Sequence, residues 1–127
     1  MMQVEYKPTK YQGSNKKYLA RSVVMNPGHG TESTLYNNEE FVSNIADFQV
    51  VVRDKEGKDL HACSSCKAHT TEIYLTLESA KEVFNSKQKT IITNHEGSSY
   101  GNILNFDDKY YRETFFASVH TRNLSDN

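Results

Sequence analysis

Residues 71–77 read Thr-Glu-Ile-Tyr-Leu-Thr-Leu, an alternation of polar and apolar side chains. Successive side chains of a β-strand point to opposite faces, so the alternation places Ile73, Leu75 and Leu77 on one face of a sheet. The same reasoning predicts further strands at 17–25, 48–54, 59–63, 90–93 and 113–120. A turn at residues 55–58 is expected to join the second and third of these in a hairpin, which favours an antiparallel sheet of four to six strands.

Two segments carry the signals of helix starts. Asn37 followed by Glu40 is typical of a capping box, and the apolar residues after it recur at helical spacing, which predicts a helix over 38–47. Ser79 with Glu82 repeats the pattern and predicts a helix over 78–87. The fold class expected is therefore α+β: one domain over 1–127, an antiparallel sheet with two short helices on one face. Residues 1–16 are expected to form a loose arm or an edge strand, and 122–127 a loose terminus.

The composition describes a polar chain of domain size. Its 127 residues are 36% hydrophobic, with eight Tyr and six Phe, and the mean hydropathy is -0.73. A thin core and exposed strand edges predict a homo-oligomer. Fifteen basic and sixteen acidic residues give a net charge of -1, which argues against general nucleic-acid binding.

The expected location is the cytoplasm. No apolar run reaches the about 18–20 residues that cross a bilayer, and the N-terminal residues show no signal-peptide core. Lys outnumbers Arg by 11 to 4, which we interpret as the coding bias of an A+T-rich genome, that of a low-GC bacterium or a phage.

The sharpest chemical feature is a cluster of four metal-ligating residue types, His61, Cys63, Cys66 and His69. Thiolate and imidazole are zinc ligands, and a Cys-x2-Cys pair brings two sulfurs to one ion. Because four ligands within nine residues are unusually tight, a distal His95 or His120 is the expected fourth ligand. Two other interpretations stay open: thiols without a role, and a redox pair.

Two His-x-Thr triplets suggest a catalytic alternative. His29 with Thr31 and His69 with Thr71 are typical of two-histidine phosphoesterases, in which one His acts as base and the other as acid. The Thr hydroxyls then hold phosphate oxygens. This hypothesis competes with zinc for His69.

A third cluster combines aromatic and basic side chains near the last strand. Tyr110, Tyr111, Arg112 and His120, with Tyr100 before them, are of the types that stack on a base and bind a phosphate. Asp107 and Asp108 oppose phosphate binding.

The residues show no convincing catalytic set. The first hypothesis is therefore a small non-enzymatic binding or regulatory module, phage-encoded or bacterial, that acts on a protein or a small nucleotide. A two-histidine phosphoesterase or nuclease and a zinc-stabilised nucleic-acid adaptor are the alternatives.

Overall fold

A computed structural model describes residues 1–95 and 104–120. Strands account for 61% of it, and within those two ranges the helical structure is one 3₁₀ turn at Leu60–Ala62. The strands in chain order are β1 (Met2–Lys10), β2 (Lys17–Met25), β3 (Ser33–Arg53), β4 (Thr70–Glu78), β5 (Gln88–Ile92), β6 (Leu104–Asp108) and β7 (Arg112–His120). The α+β prediction is wrong: the fold is nearly all β. In the same ranges, no helix has the length and apolar character needed to span a membrane.

The strand predictions fared better than the helix predictions. The segment 17–25 is β2, the alternating segment 71–77 lies within β4, and 113–120 lies within β7. Part of the segment 1–16 is β1, so the edge-strand alternative is confirmed there. The last residues, 122–127, fall outside the described ranges.

The expected hairpin formed only at its turn. The backbone N–H of Asp54 donates to the Lys58 carbonyl, and the Asp54 carboxylate accepts from the backbone of Glu56 and Lys58. Beyond the turn a single bridge joins Arg53 to Asp59, and the 3₁₀ turn then replaces the predicted strand.

The helix predicted at 38–47 is instead the middle of β3, and bulges explain the error. The register pairs Leu19 with Val42 and Lys17 with Ile45, so two residues of β2 span three of β3. An extra residue in one strand resets the alternation of faces, which places Val42 and Ile45 together at a helix-like spacing of three. Asn44 accommodates the bulge with a φ of 51°, a conformation that Asn tolerates well.

The segment 78–87 is not a helix either. The backbone N–H groups of Val83 and Phe84 both donate to the Lys109 carbonyl, and the Ser79 hydroxyl donates to the Lys81 carbonyl. Val83 is 57% exposed. A short helix needs a buried apolar face to be stable, and this segment offers none.

The strands form two antiparallel sheets, one with the order β1-β2-β3-β4-β7 and one of β5 with β6. The chain divides into two compact units, Met1–Phe48 and a second that begins at Gln49. The buried residues of the first unit are Leu19, Ala20, Val23, Ile45 and Ala46. Among the described residues of the second unit, Gln49, Val51, Thr76 and Ile92 are buried.

Gln49 shows how the second unit satisfies a buried polar group. Its side-chain amide donates to the Thr93 carbonyl (2.9 Å) and accepts from the backbone N–H of His95 (2.6 Å). Both contacts offset the cost of removing the amide from water.

Candidate functional site

The pair formed by β4 and β7 presents two chemically different faces. Nine consecutive residues pair without a bulge, from Thr70 with His120 to Glu78 with Arg112. Directly opposed residues share a face and successive residues alternate, so the register assigns every side chain to one side. We call one side the apolar face. Its members are Ile73, Leu75, Leu77, Phe115, Ala117 and Val119.

On the other side of this strand pair Thr76 of β4 is buried, whereas Phe116 of β7 is 57% exposed. Thr76 is 1% exposed, and its hydroxyl is hydrogen-bonded to that of Thr114 at 2.8 Å. The Tyr74 ring lies parallel to the His95 ring at 3.8 Å and contacts Phe116 at 5.0 Å. Burial of this ring raises the pKa of Tyr74, as does the neighbouring Glu72 carboxylate.

The apolar face is open along β7 and partly covered along β4. Phe115 is 49% exposed and Val119 54%, while the three apolar residues of β4 are only half-buried. At one end a shallow cavity of about 240 Å³ lies between Leu77, Tyr111 and Phe115. The Tyr111 hydroxyl donates to the Glu113 carboxylate at 2.8 Å, and this bond raises the pKa of Tyr111.

Arg112, predicted to bind a ligand, is committed to the interior of the second unit. Its side chain is 2% exposed and donates to Glu78 at 2.7 Å and to both oxygens of Asp108 at 2.9 and 2.7 Å. Its guanidinium carbon lies 3.7 Å from the centre of the Phe106 ring. Burial lowers the pKa of Arg112, but the two carboxylates outweigh burial and raise it overall.

The other members of the predicted aromatic-basic cluster do not converge on one point. The backbone N–H of Tyr110 donates to Asp108 at 3.1 Å, and Tyr111 lies at the rim of the apolar face. His120 ends β7, where its Nδ1 lies 3.4 Å from the Thr70 hydroxyl. Tyr100 lies outside the described residues.

Cys63 and Cys66 form a disulfide across the turn that follows the 3₁₀ turn. His61 is exposed, and the His69 ring lies edge-on to His120 at 5.6 Å. Within residues 1–95 and 104–120 no group of three or more metal-ligating side chains converges. Zinc binding by the reduced thiols with these histidines stays a prediction, which elemental analysis of the reduced protein tests.

His69 is the notable member of this group. Its Nδ1 is the one buried side-chain nitrogen or oxygen that lacks a hydrogen-bond partner in the described part of the chain. Its backbone N–H donates to the Arg53 carbonyl at 2.8 Å, which places the residue at the start of β4. The structure thus brings His69 beside His120, one of the two distal histidines considered above.

The residues of the two His-x-Thr triplets lie in different surroundings. His29 and Thr31 are exposed in the turn between β2 and β3, whereas Thr71 pairs with Val119 in the second unit. The phosphoesterase hypothesis stays a prediction, and a turnover assay with a phosphodiester substrate tests it.

No family model, curated protein or solved structure matches this chain. The class of protein rests on its own geometry: an antiparallel all-β protein with an open apolar face beside its outer strand.

The β7 half of this face was not predicted from the sequence. Phe115, Ala117 and Val119 alternate with polar or aromatic neighbours just as Ile73 and Leu75 do. That alternation is a visible signal, but which strand lies beside 71–77 depends on a pairing across about forty residues of sequence.

Proposed function

We propose that the protein is a non-enzymatic binding module that holds a protein partner on the apolar face. The exposure of that face carries the proposal: Phe115 is 49% exposed and Val119 54%, next to half-buried Ile73, Leu75 and Leu77. Contiguous exposed apolar surface is typical of sites that bind proteins. A regulatory role and a phage origin are further parts of this proposal.

The chemistry of the face favours a polypeptide over a nucleotide. Among the residues of β4 and β7 that lie on this side of the sheet, Glu113 is the one with a charge. It lies at the rim, opposite Leu77. A matching partner presents apolar side chains at its centre and a Lys or Arg towards Glu113. Nucleotide phosphate needs a cation, and Arg112 already donates to Glu78 and Asp108.

Selection from a random peptide library on the immobilised protein tests the proposal. We expect the selected peptides to be rich in apolar residues with a basic residue beside them. Val119→Lys should weaken their binding, measured by fluorescence anisotropy, by at least about tenfold, the equivalent of ~1.4 kcal/mol.

Leu35→Lys is the matched control, because Leu35 is also 54% exposed but belongs to the first unit. Its peptide binding should equal that of the parent protein. Peptides that bind the Val119→Lys protein as tightly as the parent would contradict the proposal, provided circular dichroism shows both variants folded.

A further inference from the structure

The outer strand β7 leaves alternate backbone groups unpaired by the sheet. In an antiparallel pair, every second residue is hydrogen-bonded to the neighbouring strand and the others point away. The Ser79 N–H donates to the Tyr111 carbonyl at 2.8 Å, and these two residues continue the register of β4 with β7. The odd-numbered residues of β7 therefore face β4. The residues that direct N–H and C=O outward are Arg112, Thr114, Phe116, Ser118 and His120.

The other outer strand, β1, is protected against pairing. The Asn26 N–H donates to the Met1 carbonyl at 2.6 Å, which sets the same alternation and puts Pro8 at an outward position. Proline has no N–H to donate, and lysines such as Lys7 and Lys10 discourage the approach of another strand. Between Thr114 and Val119, β7 has neither proline nor lysine, and its register shows no bulge.

We infer that β7 pairs antiparallel with β7 of a second copy of this chain, with Phe116 on the two-fold axis. A two-fold axis perpendicular to the sheet keeps each side chain on its own face. Opposed residues of the two copies then share a face, so both have even numbers or both have odd numbers. The axis therefore lies midway between the two copies of one residue. Phe116 is the midpoint of Arg112–His120, and only this register pairs the whole strand.

The side chains fit this register. Phe115 lies opposite Ala117 of the second copy, a large residue against a small one, and Thr114 lies opposite Ser118. Glu113 meets Val119, so no like charges are opposed. The two Phe116 rings meet at the axis, where an aromatic pair adds to the stability of the contact.

The dimer also joins two apolar faces into one surface, because the two-fold axis leaves both on the same side of the sheet. A partner with two equivalent segments then binds both copies at once, with a gain in avidity. The pairing itself rests on the backbone of β7 and not on the proposed function.

Ser118→Pro removes an outward N–H without touching the bonds to β4, and Ser118→Ala removes the same hydroxyl but keeps the N–H. Light scattering at micromolar concentration should give twice the 14.5 kDa chain mass for the parent and for Ser118→Ala. Ser118→Pro should give the monomer mass. A monomeric parent, or a Ser118→Pro protein that stays dimeric, overturns the inference.

Cross-linking tests the register and does not depend on the proline variant. Opposed hydrogen-bonded residues have Cα atoms about 5.5 Å apart, within the range of a disulfide. Cys63 and Cys66 pair with each other, so Phe116→Cys introduces the reacting thiol and should form covalent dimers under mild oxidation. Val119→Cys should not, and equal cross-linking of both variants overturns the register.

A mixture of Thr114→Cys and Ser118→Cys chains provides a second readout that leaves Phe116 intact. The mixture should cross-link more than either variant alone, and no excess in the mixture overturns the register. The two proposals fail separately: Val119→Lys should weaken peptide binding in a protein that remains dimeric, and Ser118→Pro should release monomers that still bind peptide.

Discussion

Each unit contains an arginine that pairs with carboxylates and lies over an aromatic ring, and the two differ in burial. In the first unit Arg21 donates to Glu39 at 2.9 Å. The Arg21 side chain is 27% exposed and that of Glu39 is 33% exposed. In the second, Arg112 is 2% exposed and its partner Glu78 7%. Breaking the two pairs should therefore change the free energy of unfolding by different amounts, because water screens the first pair and is excluded from the second.

The largest effect is expected from Arg112→Ala. Removing the guanidinium takes the charge-assisted bonds of Arg112 away from the buried carboxylate of Glu78, and breaking a buried ion pair in this way costs about 3–5 kcal/mol of unfolding free energy. Urea denaturation measures the loss. A loss below about 1 kcal/mol would mean that water reaches this cluster and that the contrast with Arg21 is false.

The double variant Arg112→Met with Glu78→Leu tests whether the stability lost in Arg112→Ala comes from the missing ion pair or from the buried carboxylate that remains. Replacing both buried charges by apolar residues is often neutral or stabilising. We expect the double variant to recover most of the stability that Arg112→Ala loses, with Asp108 left 31% exposed to water.

Arg112→Lys should have an intermediate effect. Lys keeps the charge but cannot make the two parallel bonds to Asp108 or lie flat on Phe106. We expect a loss of about 1–3 kcal/mol, the range of one or two charge-assisted hydrogen bonds. Denaturation under the same conditions ranks it against Arg112→Ala, and equal losses would show that charge alone contributes nothing.

Arg21→Ala should change stability much less than either variant of Arg112. Exposed pairs are weak and are screened by salt, so any loss should shrink when the denaturation is repeated at high ionic strength. Arg21 also lies over the Tyr36 and Phe41 rings at 4.8 and 5.1 Å. A salt-independent loss would show that these ring contacts, rather than Glu39, hold it.

The smallest effect concerns pH in the first unit. The Ser43 and Tyr11 hydroxyls donate to the Glu40 carboxylate and lower its pKa below the usual value of a glutamate. A group whose pKa is lower in the folded protein contributes stability above its unfolded pKa and loses it as the pH falls through the folded value.

Tyr11→Phe should therefore flatten the acid limb of the pH dependence of stability. Tyr74→Phe is the control, because Tyr74 donates to Glu72 in the second unit and leaves Glu40 untouched. Urea unfolding from neutral pH down to pH values below 4 compares the two. An acid limb for Tyr11→Phe identical to that of the parent protein would show that the Tyr11 bond is not made in solution.

Bulges limited what the sequence analysis could predict about the fold. Regular strands such as β2 and β4 follow a period of two and were predicted correctly. In β3 the register shifts at Asn38 and Asn44 place apolar residues three apart on one face, which imitates a helix. Side-chain oxygens that satisfy the bulges come from distant residues, as when the Asn38 N–H donates to Ser22 at 2.9 Å.

Only the β4 half of the candidate site was predicted from the sequence. The alternation in residues 71–77 correctly predicts that Ile73, Leu75 and Leu77 share one face, but it does not say whether another layer covers that face. The same limit applies to Arg112, whose residue type suggests a ligand site on the surface. Only the approach of Glu78 and Asp108 shows that it is buried and paired.

The sequence by itself determined the polar composition, the near-neutral charge and the alternation that makes β4 and β7 strands, because these depend on residues adjacent in the chain. Tertiary structure decided which strands pair, which face stays open and which arginine is buried. Those outcomes depend on contacts between residues far apart in sequence, such as Leu75 with Phe115. Strand pairing carries no local code, since a shift of one residue reverses the face of every side chain.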